Sequence, residues 1–149
     1  MRFVIPALIS ALFFISCNKD KFNTTPSLKF DSVNTKVLNK GEAIRFNLKV
    51  TDEEGDLTDS MFVFKVTRNC TNSNNNGKFK IPVFPTNKKL DVEIEVAFAY
   101  RNNTLGLPAI WEPQCANRND SCYFRFVLRD KAGNVSDTVN SPEIVILKP

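Results

Sequence analysis

The stretch LDVEIEVAFAY at residues 90–100 alternates without a break. Leu90, Val92, Ile94, Val96, Phe98 and Tyr100 share one parity; Asp91, Glu93 and Glu95 share the other. Strand side chains point to opposite faces at a period of two, so this run reads as a strand with one face in a core and one in water. The pattern repeats outward from it. Residues 43–51 (AIRFNLKVT) set Ile44, Phe46, Leu48 and Val50 against Arg45, Asn47 and Lys49. Residues 61–68 (MFVFKVTR) align Phe62, Phe64 and Val66, and residues 122–129 (CYFRFVLR) align Cys122, Phe124, Phe126 and Leu128. Shorter runs at 28–30, 79–84 and 144–147 bring the total to about seven strands. The 13 Phe suit half-buried sheet faces. The expected fold class is all-β, a seven-stranded antiparallel sandwich of two sheets.

Composition narrows the function classes. The chain has 149 residues, enough for one domain and a tail. Lys+Arg 20 against Asp+Glu 16 leaves +4, with no dense basic block, which argues against nucleic acid as a partner. There is no His, so the commonest general base and transition-metal ligand is absent. No GxSxG, P-loop or GxGxxG is present. A carboxylate pair is the remaining catalytic option. The acids, however, fall in turns or on the outward parity of strands, where solvated acids are the rule. The expectation is a non-enzyme with no resident cofactor.

The N-terminus supplies an address. After Arg2, residues 3–16 (FVIPALISALFFIS) form an apolar run of signal-peptide length that ends at Cys17. Phe14-Ile15-Ser16-Cys17 resembles the processing site of bacterial lipoproteins. That resemblance implies cleavage before Cys17, a diacylglycerol on its sulfur and an acyl chain (palmitate or similar) on the new amino terminus. Two or three chains anchor a protein stably, because each buried CH₂ contributes about 0.8 kcal/mol. Residues 17–27 read as a polar, Pro-containing linker, and residues 28–149 as the domain. Lys19-Asp20-Lys21 resembles the export signals of Bacteroidetes surface lipoproteins and implies the outer membrane, on its periplasmic or outer face.

Two turns carry a second resemblance. Residues 50–56 (VTDEEGD) and 128–134 (LRDKAGN), the latter followed by Val135-Ser136-Asp137, both run strand, Asp-x-x-Gly, Asp or Asn. They resemble the hairpin turns of bacterial immunoglobulin-like and fibronectin-III-like domains. This implies an immunoglobulin-like sandwich over residues 28–149 and no particular activity. In such turns Gly supplies positive φ and Asp caps backbone N–H groups. The same acids, Asp52, Glu54, Asp56, Asp130 and Asp137, are also oxygen donors of the kind Ca²⁺ takes. The topology brings both turns to one end of the sandwich, and both readings stand at this point.

The opposite end collects the other chemistry. Cys70 follows the third strand, Cys115 lies in the long connection 101–121, and Cys122 opens the sixth strand. In an oxidising compartment Cys70 is expected to pair with Cys122 or Cys115, with Cys115–Cys122 as the alternative. The long connection holds the only tryptophan, Trp111, near Tyr100 and Tyr123 in sequence or topology. These aromatics suit sugar stacking or protein contact; the structural alternative folds Trp111 back as a plug. Asp31-Ser32-Val33, Asp59-Ser60-Met61 and Asp137-Thr138-Val139 resemble Bacteroidetes O-glycosylation acceptors. The expected function is a lipid-anchored envelope protein with a binding or assembly role toward a protein partner. The alternatives are a carbohydrate-binding lipoprotein of a glycan-uptake system and a small hydrolase inhibitor.

Overall fold

The computed structural model describes residues 24–57, 60–85 and 88–149. The expected signal peptide (1–16), Cys17 and the linker as far as residue 23 lie outside the described residues, as does Asp59. Nine strands form among the described residues: β1 (Ser27–Val33), β2 (Val37–Leu38), β3 (Ala43–Asp52), β4 (Ser60–Thr67), β5 (Asn75–Lys80), β6 (Leu90–Ala99), β7 (Asp120–Arg129), β8 (Val139–Asn140) and β9 (Ile144–Ile146). One sheet has the order β1-β3-β6. The other has the order β2-β9-β7-β4-β5, with β8 also paired to β7.

The two sheets meet through the parities read from the sequence. Ile44 lies opposite Phe98, Phe46 opposite Val96 and Leu48 opposite Ile94 across β3 and β6. From the second sheet Phe124, Phe126 and Leu128 of β7 project inward and are fully buried. Phe46 joins the layers, its ring 4.9 Å from Phe124 and 5.2 Å from Phe126. Tilted aromatic pairs at such spacings add to the burial of the rings. Gly55 (φ 69°) and Gly133 (φ 95°) supply the positive φ expected of the two Asp-x-x-Gly turns.

The structure corrects the strand reading in four places. There are nine strand segments rather than seven, because β2 and β8 are two-residue pieces at the sheet margin. The β2–β9 pairing is parallel, so the fold is not purely antiparallel. The strand expected at 79–84 lies at Asn75–Lys80 and pairs with β4. Pro82 and Pro85 lack N–H donors, which stops the ladder before residue 81. At its start the Asn74 side chain accepts from Thr67 N–H (2.7 Å), where the chain turns back alongside β4.

The fourth correction concerns β4. Phe62, Phe64 and Val66 do share a face, but that face is outward and half-buried, while Met61, Val63 and Lys65 point into the core. Neighbour β7 sets this. Met61 lies opposite Leu128, Val63 opposite Phe126 and Lys65 opposite Phe124, and opposed residues share a face. A slip of one residue would exchange the faces. Phe46→Ala is therefore expected to cost about 3–5 kcal/mol in urea unfolding, and Phe64→Ala less than about 1 kcal/mol. Equal losses would contradict this assignment of faces.

Candidate functional site

Lys65 enters the core as a charge and needs a partner. Its ammonium lies 2.5 Å from Asp120 Oδ2, with both side chains 0% exposed. Lys65 Nζ also donates to the Trp111 carbonyl (3.0 Å), and the Thr67 hydroxyl donates to Asp120 Oδ1. The same hydroxyl accepts from Cys70 N–H (3.0 Å). One buried ion pair thus ties together the end of β4, the start of β7 and the two connections that cross this end. Cys70 and Cys115 close the arrangement as a disulfide, Cα atoms 5.4 Å apart. A bridge at a sequence separation of 45 is worth about 4 kcal/mol on the chain-entropy account.

This resolves the cysteine alternatives and removes two aromatic candidates. Cys70 pairs with Cys115, and Cys122 is a free thiol. Cys122 lies on the inward face of β7, opposite Thr67, and is fully buried. Burial pushes its thiol up to about 12. Tyr100 is also fully buried and donates from its hydroxyl to the Leu147 carbonyl (2.8 Å), so it fastens the C-terminal segment and offers no surface. Trp111 packs on Phe98, ring centroids 5.6 Å apart, and against Gly77, where an added Cβ would lie 3.0 Å from the indole. Trp111 is the plug of this end, with one edge still reaching a polar groove of about 530 Å³ between Asn72, Asn74, Asn75, Glu112 and Gln114. Of the three aromatics only Tyr123 points outward. Its ring lies beneath the guanidinium groups of Arg68 (5.8 Å) and Arg125 (5.4 Å).

The outer faces of the two sheets differ in kind. On β1-β3-β6 the charges are paired: Arg45 with Glu95 and Lys49 with Asp31, both at 2.5 Å. Hydrogen bonding from Lys49 holds the Asp31 carboxyl below its ordinary range. On β5-β4-β7 the outer face carries Phe62, Phe64, Val66, Tyr123 and Val127 with cations laid over the rings. Lys78 and Arg129 lie 5.8 and 5.7 Å from the Phe62 ring. Arg68 is paired with Glu143 at the margin, whereas Arg125 and Lys78 are in no ion pair among the described residues. An open groove of about 570 Å³ runs over this face between Phe64, Val66, Asn76, Arg125, Val127 and Thr138. Sequence reasoning missed this surface. The one signal for it was Lys65 on the inward parity of β4.

At the other end the two Asp-x-x-Gly turns meet. Asp52, Asp56 and Asp130 come together, each offering a carboxylate oxygen within 4.8 Å of the others. Glu54 and Asp137 are exposed and outside this cluster, which trims the expected Ca²⁺ set to three. The turn-capping role is also present. Asp52 Oδ2 accepts from Gly55 N–H (2.7 Å) and Asp56 N–H (3.2 Å). Asp56 Oδ2 accepts from Ala132 N–H (3.2 Å), and both Asp130 oxygens accept from Asn134. Burial, with Asp56 and Asp130 adding to it, pushes the Asp52 carboxyl above its ordinary value. Asn134 also donates to the Thr24 carbonyl (3.3 Å), so the chain enters the domain at this end. Of the three glycosylation-like tripeptides, Ser60 is buried and Thr138 is exposed.

The molecule is thus a two-sheet all-β protein with one disulfide, an aromatic and cationic sheet face, and an acidic cluster at the end where the chain enters. No family model matches it. No curated protein matches its sequence either. Among solved structures it is similar to the sporulation control protein Spo0M of Bacillus subtilis (TM-score 0.44, 8% identity), covering 84% of this chain and half of that one. It is similar to a putative late embryogenesis abundant protein (TM-score 0.44, 13% identity, 83% of this chain and 72% of that one). A third is a Niemann-Pick type C2 protein from the Japanese carpenter ant (TM-score 0.40, 10% identity, 82% and 94%).

Two measurements test the closed end. Lys65→Met leaves Asp120 buried and unpaired and is expected to cost about 3–5 kcal/mol, more than half of it recovered in Lys65→Met/Asp120→Asn. Denaturant unfolding of the two variants decides this. With Cys17 replaced by serine, the unreduced protein is expected to expose no thiol to a maleimide at pH 8 while folded and one after denaturation. A thiol that reacts in the folded state would place Cys122 outside the core.

Proposed function

We propose that the chain is a lipid-anchored, non-catalytic binding protein of a bacterial outer membrane, built on one immunoglobulin-like domain. The observation that carries the binding role is the outer face of β4 and β7. A folded domain of this size gains stability by turning Phe62 and Phe64 inward. Here both rings stay at the surface, Phe62 under Lys78 and Arg129 and Phe64 beside Arg125 along an open groove. An aromatic surface rich in Arg is the composition of protein interfaces. The face fits a protein partner that presents carboxylates, since Arg125 and Lys78 have rings but no carboxylate among their described neighbours.

Other observations support the rest of the reading. The sheet orders β1-β3-β6 and β9-β7-β4-β5 follow the A-B-E and G-F-C-C′ orders of immunoglobulin-like sandwiches, with β2 as a short A′ segment on β9. The Cys70–Cys115 disulfide suits an exported compartment. The residues around Cys17 supply the lipid address. A tether at Cys17 would join the domain beside Asn134, leaving the face of β4 and β7 open to a partner.

A glycan is the second reading. It rests on the polar groove in which three Asn and Gln114 face one edge of Trp111. Crosslinked pull-down from intact cells separates the two. A protein partner is expected to be recovered with the wild type and with Glu93→Ala on the other sheet, and to fall at least about tenfold with Phe64→Ala/Arg125→Ala. A partner lost only in Trp111→Ala, or sugar-dependent retention on a glycan array, would transfer the site to the polar groove.

A further inference from the structure

We propose that Asp52, Asp56 and Asp130 form a Ca²⁺ site that joins the β3–β4 turn to the turn after β7. Capping explains four of the six carboxylate oxygens and leaves two over. Asp52 Oδ1 and Asp56 Oδ1 are buried and have no hydrogen-bond partner. The Asp52 residue is 0% exposed, so bulk solvent does not reach its carboxylate. Among the described residues none of the three acids takes part in an ion pair. Three carboxylates this close repel one another, and a buried, unpaired carboxylate either binds a cation or takes up a proton.

The donor set selects the cation. All the ligands are hard oxygens, with no thiolate or imidazole in the cluster, which disfavours zinc and copper. Ca²⁺–oxygen bonds of about 2.3–2.6 Å make a shell about 4.6–5.2 Å across. Ligand oxygens within 4.8 Å of one another are on the scale of that shell. Mg²⁺, with bonds of about 2.0–2.1 Å in strict octahedral geometry, asks for a tighter and more regular shell. Asn134 holds both oxygens of Asp130 and also the Thr24 carbonyl, so an ion here would brace the point where the chain enters the domain. The site is separate from the face of β4 and β7, and its test does not depend on any partner.

The test uses the full chain, purified in detergent and stripped with EDTA. Calorimetric titration with CaCl₂ is expected to give one ion per chain with Kd between about 10⁻⁵ and 10⁻³ M, and at least about tenfold weaker uptake of Mg²⁺. Ca²⁺ at ten times Kd is expected to raise Tm by about 5 °C. Asp56→Asn keeps an oxygen for Ala132 N–H, so in EDTA it should melt within about 2 °C of the wild type and lose the Ca²⁺ shift. Asp52→Asn, which keeps an acceptor for the Gly55 and Asp56 amides, is the second variant should the first fail to fold. Glu54→Gln, outside the cluster, should bind as the wild type does. A wild type with the same Tm in EDTA and CaCl₂ and no uptake by calorimetry would overturn the site and leave a shared proton in its place. Binding by Asp56→Asn or Asp52→Asn as tight as the wild type would overturn it equally.

Discussion

The burial of the Lys65 ammonium against Asp120 constrains more of this structure than any other contact. Two charges removed from water cost several kcal/mol each, and their attraction offsets that only when every remaining donor and acceptor is used. The Trp111 carbonyl serves Lys65 and the Thr67 hydroxyl serves Asp120 beyond the pair itself. Those two partners lie on the 101–121 connection and at the end of β4. Satisfying one ion pair therefore fixes the path of the 101–121 segment over the sandwich end, and the disulfide then holds that path. It also fixes the facing of β4, because Lys65 inward means Phe62 and Phe64 outward.

This explains which parts of the molecule were legible in the sequence. The 90–100 stretch was legible because its two parities differ sharply in polarity, and β3 and β7 were legible for the same reason. β4 carries apolar residues on both parities, Met61 and Val63 on one and Phe62, Phe64 and Val66 on the other. Periodicity can align such a strand but cannot say which side faces in. The deciding residue, Asp120, lies more than fifty positions away, and a lysine at an inward position reads as an error until its partner is known. Trp111 in its long loop left two readings open, a ligand shelf or a plug, and the packing of Phe98 and Gly77 beneath it bears out the plug. The two acidic turns converged as expected, since β4 and β7 run antiparallel and the start of one lies opposite the end of the other.

The two sheets divide the work of surface chemistry. The three-stranded sheet neutralises itself, with Arg45, Lys49, Asp31 and Glu95 in cross-strand pairs. Such exposed pairs contribute little to stability. They do leave that face with few unmatched charges. The larger sheet keeps Lys78 and Arg125 over aromatic rings, where attraction to the ring quadrupole orders them without neutralising them. Charge held this way remains available to a newcomer, which is the physical difference between a face that is finished and one that is not.

The margin of the larger sheet has a consequence of its own. β5 is an edge strand, and an edge presents unpaired N–H and C=O groups to any other chain in solution. Here the strand is six residues long, carries Lys78 and Lys80, and runs into Pro82 and Pro85. Lysines repel a second copy approaching in register, and the prolines remove the donors that would extend a ladder beyond it. A protein crowded at high density on a two-dimensional surface would meet its own copies edge to edge far more often than one free in solution. The blunted margin of β5 would guard copies held in that way, letting them lie side by side without fusing into a common sheet.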